Sequence, residues 1–233
     1  MAVEADLQRV NLLDRGDLFG GVCEAVALEG ATAFFRHTTG VRRLYSEPIE
    51  RRRRAFSTAG VRVAFRSDTR RLRLALRFGD GVEWLRQARC DLVVNGRLEA
   101  FFGPALPEIG LRWEGTVWRD AAARSRDFVL WLPALRQTMI ESFEIERGAS
   151  LQPLPRRPRW LVLGDSITQG YVTAHPSQGY AARAAEALGM EHVNAAVGGG
   201  VADPALAELA RGLPSELATV ALGVNDYARG IDL

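Results

Sequence analysis

Three prolines fall within residues 150–159 (Ser-Leu-Gln-Pro-Leu-Pro-Arg-Arg-Pro-Arg), and this stretch constrains the chain more than any other. Proline has a fixed φ and no N–H to donate, so neither a helix nor a central strand runs through such a segment. The chain is therefore expected to fold as two units joined there. Charge changes at the same place. All 30 basic residues are arginines; 27 of them, against 20 acidic residues, precede position 160, whereas 3 arginines face 8 acidic residues from there on. The expected organisation is a domain over 1–149, a linker over 150–159 and a second domain over 160–233.

The first part reads as β-structure. Residues 69–78 alternate, with Leu72, Leu74, Leu76 and Phe78 on one face and Arg71, Arg73 and Arg77 on the other, the period of two of a strand with one buried face. Similar short segments recur at 22–28, 31–37, 61–65, 91–94, 98–102, 111–118, 128–132 and 139–145. Turn pairs such as Asp80-Gly81 and Asn95-Gly96 stand between some of them. Many short strands without a long helix pattern predict an all-β sandwich of jelly-roll-like type.

The texture beyond the prolines is different. Residues 160–163 form a continuous apolar run ending at Gly164, as a buried parallel strand does. Ser177 is a candidate N-cap for an alanine-rich helix reaching Leu188. Residues 192–197 are a second strand candidate, Asp203-Pro204 opens a helix to Arg211, and 219–222 form a third strand. This alternation predicts a flavodoxin-like α/β layer with a parallel sheet, whose chemistry sits in the loops after the strands.

Those loops hold Gly164-Asp165-Ser166-Ile167-Thr168, Asn194-Ala195-Ala196-Val197-Gly198-Gly199-Gly200 and Gly223-Val224-Asn225-Asp226. In a parallel sheet the three lie side by side, so a hydroxyl, a glycine-rich backbone and a carboxamide converge. That is an inventory for acyl transfer: Ser166 attacks a carbonyl while its own N–H, a glycine N–H and the Asn225 amide receive the oxyanion.

The three blocks resemble those of the SGNH, or GDSL, hydrolase superfamily of esterases, lipases and acyltransferases. The resemblance implies Ser166 as nucleophile, with Gly199 and Asn225 as oxyanion donors. Gly198 and Gly200 flank the donor position, and Ala196 stands where the family often has a glycine. Asp165 is expected to hold the loop by accepting backbone N–H bonds. A sandwich before such a domain is similar to the family 2 carbohydrate esterases and related acyltransferases, which implies an ester substrate such as an O-acetyl sugar. The mechanism needs no cofactor and no metal.

The family's late Asp-x-x-His block, which carries the general base, has no counterpart here. His37, His175 and His192 each lack an aspartate three residues before them. With 74 residues from Trp160 onward, the α/β domain is expected to be truncated and the chain alone to turn over little. A second chain completing the domain is one alternative, and a non-catalytic glycan-binding protein with a vestigial hydrolase layer is another. A third strand at 219–222 without an outer neighbour would be an exposed apolar edge.

The remaining features fit bland roles. The Gly198–Gly200 run lacks phosphate-loop spacing, and His175 reads as a satisfied loop histidine. Arg51 to Arg54 read as a solvated loop run without the interleaved aromatics that nucleic-acid binding needs. Trp84, Trp113, Trp118 and Trp131 read mostly as core, with one or two at a sugar surface or interdomain cleft. Cys23 and Cys90 are too few for a disulfide framework or metal cluster. Neither a membrane span nor a signal peptide is visible, which points to a cytoplasmic location without a membrane partner.

Overall fold

The computed structural model describes residues 6–82, 88–105, 108–171 and 173–230. Trp84 lies outside them. The first part forms two antiparallel sheets. One contains β1 (Leu7–Arg9), β3 (Glu24–Leu28), β4 (Ala31–Phe35), β6 (Arg71–Gly81), β9 (Arg112–Arg119) and β11 (Arg136–Glu146), in the order β3-β4-β11-β6-β9 with β1 also on β11. The other contains β2 (Phe19–Gly20), β5 (Arg62–Ser67), β7 (Cys90–Val94), β8 (Arg97–Phe102), β10 (Arg126–Trp131) and β12 (Gln152–Pro153), in the order β12-β5-β10-β7-β8 with β2 on β5.

Alternation explains the core between these sheets. Leu72, Leu74, Leu76 and Phe78 on β6 are completely buried, while the arginines between them stay partly exposed. They meet Phe65, Phe128 and Phe143; Phe65 stacks on Phe128 at 5.0 Å and meets Phe143 edge-on at 5.3 Å. Trp118 sits edge-on to Phe128, and Trp113 packs against Phe102. The Asn95-Gly96 turn joins β7 to β8 with φ of 48° and 78°, the pair of positive angles a two-residue hairpin needs. Asp80-Gly81 is not a turn. It ends β6, where Gly81 pairs with Arg136 and Asp80 binds Arg53.

Between β4 and β5 the chain forms two short helices, α1 (Thr39–Leu44) and α2 (Ile49–Ala55). The arginine run is therefore helical rather than a loop, and only Arg52 of the four is exposed.

The second part is a parallel sheet in the order β14-β13-β15, with β13 (Arg159–Gly164) central, β14 (Glu191–Asn194) and β15 (Leu217–Ala221) flanking it. Among the described residues four α-helices belong to this part: α3 (Ser166–Gln169), α4 (Tyr180–Ala187), α5 (Pro204–Ala210) and α6 (Val224–Ala228). Successive residues of β13 serve opposite faces. Trp160 and Val162 pack on Ala181 and Ala185 of α4, whereas Leu161 and Leu163 pack with Val193, Leu206 of α5, Val41 of α1, Tyr45 just after it, and Ala55 of α2. The layer's second face is thus covered largely by residues that precede β5.

Asp203 caps α5, accepting the Ala205 N–H at 2.9 Å. Ser177 does not cap α4, which starts after Gly179; its hydroxyl and N–H are instead taken by Asp91 of β7. Among the described residues no helix is long and apolar enough to cross a membrane.

Candidate active site

Ser166 is the first residue of α3, immediately after the central strand, and is half-buried. Asp165 caps that helix: its Oδ1 accepts the Ile167 N–H at 3.0 Å, and it is itself buried. The turn is tight enough to require glycine at its entry. A Cβ on Gly164 would lie 2.3 Å from the Thr168 hydroxyl, which is shared with Tyr180 Oη at 2.7 Å.

Two amide side chains fasten the glycine-rich loop to α3. Asn194 Nδ2 donates to Thr168 O at 2.8 Å while its Oδ1 accepts Ala196 N–H at 3.1 Å. Buried Gln169 accepts the Gly198 N–H through Oε1 at 2.6 Å. Gly200 N–H closes a turn onto Val197 O at 2.8 Å. Among the described residues Gly199 N–H has no hydrogen-bond partner, so of the three glycines it alone keeps an uncommitted donor. Each glycine is also closely covered: a Cβ would meet the Tyr171 ring at Gly198, Arg54 Nη1 at Gly199 (φ +73°) and Val197 O at Gly200, at 2.8, 2.7 and 2.8 Å.

Asn225 on α6 joins the other two loops. Its Nδ2 donates to Gly200 O at 3.0 Å and lies 3.5 Å from Asp165 Oδ2. Asp226, buried beside it, accepts Ala202 N–H at 2.9 Å. Ser166, Gly199 and Asn225 thus stand on three neighbouring loops whose contacts run through Asp165 and Gly200.

None of the histidines hydrogen-bonds Ser166 among the described residues. His192 is stacked on Trp131 at 5.6 Å, and burial with nearby Arg62 drives its pKa down to about 3. His37 is buried with neither ring nitrogen bonded among the described residues, and its pKa is held well below the usual range by burial and by Arg36 and Arg42. His175 packs on Phe101 at 4.0 Å, with Nδ1 3.0 Å from Asp91 Oδ1. Asp91, His175 and Ser177 are triad residue types in the wrong order: the carboxylate sits between the other two and fastens the 176–178 turn to the sandwich.

Sequence reasoning missed the residues that hold the site from the sandwich side. Arg36, fully buried after β4, donates to Ser57 O, Asn194 O, Ala196 O and Arg54 O at 2.7–2.9 Å. Burial lowers its pKa to about 9, which leaves it cationic at neutral pH. A single arginine among 30 has no local signature of such a role. A cavity of about 1070 Å³ lies elsewhere, between the outer face of β5 and β10 and helix α4, and Ser166, Gly199 and Asn225 do not line it. Among the described residues no three His, Cys, Asp or Glu side chains are grouped to hold a metal ion.

Residues 162–233 match the GDSL-like lipase/acylhydrolase family. No curated protein matches the chain. Among solved structures, a salicylyl-acyltransferase from a tetracycline biosynthetic pathway superposes with a TM-score of 0.79 at 26% identity, over 91% of this chain and 60% of its own. A GDSL-like lipase from Bacteroides ovatus, described as putative, gives 0.73 at 17% identity over 94% and 65%. A family two carbohydrate esterase from Cellvibrio japonicus gives 0.67 at 13% identity over 99% and 71%. The chain therefore spans about 60% of the acyltransferase's length.

Proposed function

We propose that Ser166 is the nucleophile of a serine esterase or acyltransferase of SGNH/GDSL type, because residues 162–233 match the GDSL-like lipase/acylhydrolase family and the fold is that of a family two carbohydrate esterase. Its hydroxyl attacks an ester carbonyl. The oxyanion forms against the Ser166 N–H, Gly199 N–H and Asn225 Nδ2, the alcohol departs, and water or an acceptor hydroxyl then takes the acyl group. The uncommitted Gly199 N–H, between two glycine amides already engaged, is the observation that carries this reading.

The domain over 1–149, whose sandwich β12 extends to Pro153, serves as the substrate-positioning domain, and the ester is that of a small molecule or a carbohydrate, such as an O-acetyl sugar. Among the described residues none of the three histidines hydrogen-bonds Ser166, so no general base is assigned to them. The chain alone is then a weak catalyst, keeping about 10³ to 10⁴-fold over water from binding and the oxyanion hole.

Imidazole supplied in solution can stand in for the absent base. With p-nitrophenyl acetate, the wild-type chain is expected to show imidazole-dependent release of p-nitrophenol above that of Ser166→Ala. Equal rates from the two proteins would sink the nucleophile assignment.

A further inference from the structure

Arg54 lies at the end of α2, on the sandwich side of the molecule, yet its side chain reaches the glycine-rich loop. Its main chain is fixed first: Arg54 O accepts Arg36 Nη2 and Gln169 Nε2, each at 2.9 Å, and the Ser57 hydroxyl at 2.8 Å. From that point Nη1 donates to Gly198 O at 2.8 Å, and the guanidinium lies 6.0 Å from the Tyr171 ring centroid. Among the described residues no carboxylate pairs with it.

Gly198 O and Gly199 N–H belong to one peptide unit. Amide resonance couples the two ends, so a cation on the oxygen draws electron density from the nitrogen and makes its N–H a stronger donor. The peptides on either side of it are held as well. Gln169 takes the Gly198 N–H on one side while its own amide holds Arg54 O, and Arg229 Nη2 donates to Gly199 O at 3.1 Å on the other. Arg54 and Gln169 thus close a ring of hydrogen bonds around Gly198, outside which Gly199 N–H is left available.

We infer that Arg54 is a positioning residue for the oxyanion hole, acting through the Gly198–Gly199 peptide rather than on substrate. The inference rests on the assignment of Ser166 and Gly199 above. It means that the sandwich contributes to catalytic power, and not only to shape.

The test uses the 233-residue chain labelled with ¹⁵N-glycine, as wild type, Arg54→Gln and Arg54→Lys. In Arg54→Gln the Gly199 amide resonance is expected to move upfield in both dimensions, while Gly164 and Gly170 stay in place as a check on folding. The Ser166-dependent, imidazole-supported rate should fall about tenfold through kcat with KM unchanged, a smaller loss than removal of a whole oxyanion donor. Arg54→Lys, which keeps a cationic donor, should recover most of both. A Gly199 resonance that does not move, or a Ser166-dependent rate equal in wild type and Arg54→Gln, overturns the inference. Absence of any Ser166-dependent rate in the wild type is a separate outcome: it overturns the nucleophile assignment, and the inference with it.

Discussion

The two regions of this molecule reach stability by different routes. The sandwich closes its core from its own strands, with Leu72, Leu74, Leu76 and Phe78 meeting three phenylalanines on β5, β10 and β11. The parallel sheet does not. Its Leu161 and Leu163 face Val41, Tyr45 and Ala55 from the segment over 39–55, the carbonyls of Asn194 and Ala196 are held by Arg36, and the 176–178 turn is fastened by Asp91. On its far side β15 pairs with β13 alone among the described residues, leaving Val220 66% exposed. A proline-bearing segment therefore separates the two parts in sequence without making them independent in structure.

The sharpest break in that dependence is Arg36→Ala. It takes a donor from four carbonyls at the junction, of which Arg54 O keeps Gln169 Nε2 and the Ser57 hydroxyl, and urea unfolding should show a loss of about 4 to 5 kcal/mol. Arg36→Lys should rescue little, because one ammonium cannot reproduce the planar fork. Leu74→Ala attacks only the self-sufficient region, with an expected cost of about 3 kcal/mol from lost burial and the cavity left behind. If it instead costs nothing, the sandwich core is not the closed unit described above.

Acid should expose the junction next. His192 has a folded pKa of about 3, against about 6.5 unfolded. Below pH 6.5 the unfolded chain therefore binds a proton that the folded chain refuses, and stability falls with pH until about pH 3. Between pH 7 and 4 the His192 contribution is about 3 kcal/mol, and His37 acts in the same direction. Urea midpoints of His192→Phe should fall less steeply over this range than those of the wild type; parallel slopes would remove His192 from the account. The smallest effect is expected at the open edge. Val220→Arg should change unfolding free energy by less than about 0.5 kcal/mol while lowering self-association in light scattering.

Legibility in the sequence followed the reach of each signal. Alternation marked β6 because a strand's burial is written every second residue, and Asn95-Gly96 marked its hairpin because the turn itself demands positive φ. Asp203-Pro204 marked α5 for the same local reason. The helices over 39–55 were not legible: they are six and seven residues long, and their apolar side chains answer to a sheet formed more than a hundred residues later. Ser177 has the chemistry of a cap, but the buried Asp91 carboxylate competes for it and wins. The arginine run looked solvated because nothing local announces Asp80 or the Gly198 carbonyl as partners.

The three loop blocks were readable because close packing there excludes side chains, as at Gly164 and Gly200. What the sequence left open was which glycine amide is uncommitted. That depends on Gln169 and the turn to Val197, and hence on side-chain bonds rather than on spacing.

Arg36 also sets a timetable. It emerges from the ribosome 158 residues before Asn194, whose carbonyl it will hold. At about 5 to 20 residues per second, translation leaves that guanidinium without its later partners for roughly ten to thirty seconds. The strands that pair around it can form within that window, but the charge must stay hydrated until β14 is made. The end of β4 and the α1 entry are thus the natural place for the nascent chain to stay open, and the order of synthesis delays closure of the junction until β14 is made.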